Sequence, residues 1–209
     1  MRPVRRVWAG IAAMAVLLGS APVALTQTAP PRDPKAQQLA TDVWIISGGM
    51  LPISLGRRKF KIMLAPDAAT SGDVWLIDPR SGIAALGDLV TLPVPFLDTA
   101  CPEGWKAALA QVSATPFWMA IPGLGAPMQR RQFDLYRQAF VSFIDCSNSD
   151  RPAGDCATNW ANAVQPLLPA DPAELRRTQS MAEYYIGLLR ANGGRSKYCE
   201  AQPSAKPDG

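Results

Sequence analysis

Apolar residues along this chain change period several times, and each change marks an element. From Ala36 they recur as Ala36, Leu39, Ala40, Val43 and Ile46, at helical spacing. Asp33-Pro34 ahead of them offers an N-cap with proline in the first turn, and Gly48-Gly49 behind them a stop. The pattern predicts an N-terminal helix. The period then shortens to two: Phe60, Ile62 and Leu64 alternate with Lys59 and Lys61, as in a half-buried strand. Residues 51–55 supply the other arm of a hairpin whose tip is Gly56-Arg57-Arg58. Residues 72–77 read as a further strand, and Asp78-Pro79-Arg80-Ser81-Gly82 as a turn. Ile83 to Leu86 suits either a returning strand or the start of a short helix. Leu89 to Phe96, interrupted by Pro93 and Pro95, is expected as an edge strand at best. A small antiparallel sheet over about 51–96 follows.

The helical period returns in the second half. Residues 102–113 place Trp105, Ala108, Leu109 and Val112 on one face. Residues 117–121 form a short buried segment between Pro116 and Pro122, followed by a turn over 123–127. A long helix then runs to about Cys146 with a stripe of Phe133, Tyr136, Phe140, Phe143 and Ile144. Residues 155–165 predict a shorter helix. The last helix has Asp171 as cap, Pro172 at its opening, Glu174 at the capping-box position and Gly193-Gly194 at its end. The fold class is α+β: one disulfide-stapled domain with an N-terminal helix, a small sheet and a helical C-terminal half.

The first residues form a different pattern. Arg2, Arg5 and Arg6 precede the unbroken apolar run from Val7 to Leu18, and small residues follow. These are the parts of a secretory signal peptide, residues 1–24. An uncleaved membrane anchor is the alternative, because uncharged residues continue to Pro31. Residues 25–33 then read as a flexible linker, 34–200 as the domain and 201–209 as a polar tail. The expected location is periplasmic or secreted.

The leader also changes the charge. Of 21 basic residues three lie in it, and none of the 17 acidic ones do. The formal charge of +4 therefore falls to 18 basic against 17 acidic residues, or +1. A nearly neutral domain lacks the positive field that nucleic acid binding uses, so no nucleic-acid partner is expected.

Export gives the four cysteines a role as staples. The turn-rich loop between Cys146 and Cys156 favours their pairing, which leaves Cys101 for Cys199. Cys101–Cys146 with Cys156–Cys199 is the rival. The chain has no histidine and no Cys-x-x-Cys. The commonest general base, zinc ligand and haem ligand are thus missing, and no metal or cofactor is expected.

No catalytic motif emerges, and no catalytic residue is assigned. Carboxylates are the only common acid–base groups left. Asp73 and Asp78 bracket a strand, while Asp145, Asp150 and Asp155 gather near the small loop. Arg57, Arg58, Lys59 and Lys61 form the densest basic patch, and tryptophan is abundant, so these residues with Trp75 and Trp118 are the candidate binding surface. The leading expectation is a non-catalytic accessory or scaffolding subunit docked on a larger envelope complex, such as a respiratory dehydrogenase or secretion assembly. Its partner would be an envelope protein, and the basic tip would also suit anionic headgroups. The alternatives are a small periplasmic carboxylate-dependent hydrolase acting on glycans and a carrier of a small apolar ligand.

Overall fold

The computed structural model describes the backbone of residues 36–40, 43–46, 51–55 and 58, and residues 59–199 with their side chains. The leader, the linker and the tail lie outside the described residues, and so does Arg57.

The N-terminal helix is not formed. Its residues make a two-stranded antiparallel sheet, β1 (Ala36–Ala40) and β2 (Val43–Ile46), with Ala36 opposite Ile46. The physical reason lies in Val43-Trp44-Ile45-Ile46, whose β-branched and aromatic side chains favour extended backbone over a helix.

A second sheet of six strands runs in the order β3 (Leu51–Leu55), β4 (Arg58–Pro66), β5 (Gly72–Asp78), β6 (Ile83–Thr91), β7 (Met119–Leu124) and β8 (Met128–Gln129). The expected antiparallel meander is present, but the sheet extends beyond it. Residues 83–91 form one strand between β5 and β7 in the sheet order, and its 89–91 end, paired with β7 at Thr91, is fully buried. The chain leaves the sheet at the cis Leu92–Pro93 bond. Part of the segment expected as merely buried becomes β7, parallel to β6, with helix α1 (Pro102–Ala114) in the crossover.

Three more helices follow: α2 (Arg130–Ser147), α3 (Ala153–Val164) and α4 (Pro172–Ala191). Local chemistry sets their ends. Gln132 Oε1 accepts the Gln129 backbone N–H at 2.8 Å, and Asp171 Oδ1 accepts that of Ala173 at 2.8 Å. Gly193 and Gly194 take positive φ, and the Gly194 N–H closes α4 onto the Leu189 carbonyl at 2.8 Å.

The helices pack on one face of the sheet. Met63, Ala65, Trp75, Ile77, Ala84 and Ala120 are buried there with Trp105, Phe133, Tyr136, Phe140 and Trp160. This reverses the face expected of β4. Phe60, Ile62 and Leu64 are only half-buried on the outer side, while the Lys59–Lys61 face becomes core at Met63 and Ala65, where α1 lies against β4. Rings continue the core through the helices: Trp105 to Phe140 at 4.9 Å, Tyr136 to Trp160 at 5.9 Å and Phe143 to Trp160 at 5.0 Å between centroids.

Cys101 pairs with Cys199, and Cys146 with Cys156, the pairing the loop spacing favoured. Such bonds persist in an oxidising environment. No helix among the described residues is long and apolar enough to cross a membrane.

Candidate active site

Two carboxyl groups lie within electrostatic reach of each other where β5 passes β6. The antiparallel register sets Leu76 opposite Ala85 and Ile77 opposite Ala84. The ladder between the two strands ends at Leu76 and Ala85, and three residues further along each strand stand Asp73 and Asp88. The chain around each is held in place. Between β4 and β5, Asp67 takes a positive φ of 51°, and the turn is tied down by Cys101 N–H to Ala68 O at 2.9 Å and Thr99 Oγ1 to Ala69 O at 2.8 Å. Gly104 is needed beside it, since a Cβ there would lie 1.9 Å from the Asp67 carbonyl oxygen. On β6, Gly87 has φ +52° and the register to β7 slips on either side of it. A Cβ at Gly123 would lie 2.7 Å from Asp88 Oδ1, so glycine lets that carboxylate rest against β7.

The two acids have unlike surroundings. Asp73 is 8 % exposed, and its Oδ2 accepts the Thr70 N–H at 2.8 Å. Asp88 is exposed. Burial holds the Asp73 carboxyl above the usual carboxylate range, against the hydrogen bonds from Thr70, and the Asp88 charge adds to the rise. One acid is thus pushed towards its protonated form beside another open to water.

The other acids serve the fold. Asp78 is buried, with Oδ1 accepting the Arg80 N–H at 3.0 Å and Oδ2 the Ser81 hydroxyl at 2.9 Å. Asp145 and Glu103 both bind the Lys106 ammonium, at 2.6 and 2.8 Å. Burial works against the Lys106 charge, but those hydrogen bonds outweigh it and hold its pKa above the ordinary value. Asp155 sits in the first turn of α3, and Asp150 at the rim of a cleft. That cleft, of about 1300 Å³, lies between the end of β4, the start of α1 and the ends of α2 and α4. Asp67, Glu103, Arg190 and Arg195 line it, whereas Asp73 and Asp88 do not.

Of the residues expected to form a binding surface, the side chains of Lys59, Lys61, Trp75 and Trp118 are among those described. Lys59 and Lys61 are exposed on β4, and the side chain of Arg58 lies outside the described residues. Trp75 is 1 % exposed, inside the core. Trp118 is 54 % exposed, its indole lying on Gly82 with Nε1 donating to the Ser81 carbonyl at 2.6 Å. Asp88 was missed by sequence reasoning. Its only signal is the Gly87-Asp88 pair interrupting an otherwise apolar strand.

No family profile matches the chain, and neither does any curated protein. Several solved structures share part of its shape. A sec-alkylsulfatase from Pseudomonas aligns over 78 % of this chain and 28 % of its own, at 12 % identity and a TM-score of 0.46. A metallo-beta-lactamase family protein from Thermus thermophilus covers 68 % and 48 %, at 13 % identity and 0.41. A metallo-beta-lactamase from Pontibacter korlensis covers 43 % and 44 %, at 14 % and 0.39. The chain thus spans less than half the length of each, and scores this low transfer no substrate, metal or mechanism. A metal centre of the kind two of those titles imply does not fit the residues present. The chain has no histidine, its four cysteines are joined in disulfides, and no three potential ligands converge among the described residues. No step is drawn through a metal.

The expected accessory subunit is corrected by the packing of its tryptophans. The surplus tryptophan that suggested docking is largely core, with Trp75, Trp105 and Trp160 all buried.

Proposed function

We propose that this protein is a small hydrolase of the periplasm or the cell exterior, using Asp73 and Asp88 as an acid–base pair. The observation that carries the reading is a buried carboxyl on β5 within electrostatic reach of an exposed one on the neighbouring strand β6. Asp73, kept towards its protonated form, donates its proton to the leaving oxygen. Asp88 takes a proton from the attacking water, whose oxygen bonds to the carbon that the leaving group vacates. A proton then passes from Asp88 back to Asp73 through solvent. Glycosidic bonds are the substrate class, since two carboxyl groups suffice to hydrolyse them. The leader and the two disulfides support the location.

The test is turnover of a panel of chromogenic glycosides between pH 4 and 7. Asp73→Asn and Asp88→Asn should each lower kcat by about a hundredfold or more, in the range general acid–base groups contribute, while the melting temperature stays near that of the parent. Turnover that survives both substitutions, or no turnover of any glycoside by the parent, would sink the proposal.

A further inference from the structure

The large sheet is apolar on both faces, and the helices cover one. On the other, Ile62, Leu76, Ala85 and Ile121 form a row across β4 to β7, with Leu64 and Val74 paired in the next row. Val74 is 55 % and Ile121 43 % exposed. Stable layer architectures bury such a face against another element. Four strands about 4.8 Å apart and some five residues long at about 3.3 Å present roughly 300 Å² in projection. A stable complex between separate molecules covers about 800 Å² per partner. So small a face favours a cover tethered to the same chain.

One segment is placed to provide it. Four residues, 47–50, join β2 to β3, so Ile46 and Leu51 lie at most about 18 Å apart. Stacked sheets lie about 10 Å apart. The Ile46 end of the β1–β2 hairpin can therefore reach the layer stacked on Leu51, whose partner Ile62 begins the apolar row. It does not widen the large sheet, because β1 and β2 form a sheet of their own. The helix side of that sheet corner carries exposed Lys59 and Lys61, opposite Ser54 and Pro52, and is a poor match for Val43-Trp44-Ile45-Ile46.

We infer that β1–β2 docks across the outer face as a second β layer over Ile62, Leu76, Ala85 and Ile121. Hydrogen exchange on the full mature chain tests this. The Val43–Ile46 amides should be protected, and Val74→Glu, at an exposed site, should speed their exchange at least tenfold while α2 and α4 keep their protection. Trp44→Ala, on the other side of the contact, should raise binding of a hydrophobic dye several-fold. Hairpin amides that exchange freely in the parent, or protection unmoved by Val74→Glu, would overturn the inference. So would a dimer in sedimentation that Val74→Glu converts to monomer, since a second copy would then own the face.

Discussion

Asp88 on β6 lies within electrostatic reach of Asp73 on the neighbouring strand β5, and its charge helps keep the proton on Asp73. Unlike environments for neighbouring acids separate their proton affinities, which is how one site can hold an acid and a base at the same pH.

The first consequence concerns pH. Asp73 has a higher pKa folded than its unfolded value of about 3.9, so the folded chain holds that proton more tightly. Its contribution to stability is fully present below about pH 4 and is lost as pH rises through the raised folded value. Denaturant midpoints of the parent should fall over that window, and those of Asp73→Asn should fall less.

Neighbouring substitutions should move Asp73 in opposite directions. Asp88→Asn removes a charge that raises its pKa, so the value drops; Thr70→Ala removes a side-chain hydrogen bond that lowers it, so the value climbs. Carbon-detected NMR titration of the Asp73 carboxyl reads both. Shifts of the same sign would contradict the assignment.

Two buried tryptophans should respond unequally to trimming. Trp160 Nε1 donates to the Pro93 carbonyl at 3.0 Å, whereas no acceptor among the described residues meets Trp75 Nε1. Both Trp→Phe changes lose similar volume, but only Trp160→Phe strands a partner, which costs about 1–3 kcal/mol. Denaturant unfolding should find Trp160→Phe the more destabilising by roughly that margin.

The two disulfides should differ as well. Cys101–Cys199 closes a separation of 98 residues and Cys146–Cys156 one of 10. On the chain-entropy account, removing the first costs on the order of 5 kcal/mol and the second about 3 kcal/mol. Comparing the two Cys→Ser double variants by unfolding midpoint checks the order.

Signals confined to neighbouring residues were legible in the sequence. Asp171, Pro172 and Gly193-Gly194 delimit α4 by backbone chemistry alone, and the stripe of Phe133, Tyr136 and Phe140 identifies α2 and its buried face. Residues 36–46 were misread because the spacing of Leu39, Val43 and Ile46 also fits two short strands, which Val43, Trp44 and Ile45 favour. On β4 the alternation was visible, but α1, some forty residues later, decides which face is core. The proximity of Asp73 and Asp88 depends on β5 and β6 being neighbours in the sheet, which no local pattern near either residue records.

The Cys101–Cys199 bond joins the residue before α1 to one just beyond α4, so the whole helical half, β7 and β8 included, is a closed covalent ring. A protease cutting once anywhere inside that ring opens it without releasing a fragment. The nicked protein would stay a single covalent species in non-reducing electrophoresis, and only reduction would separate the pieces.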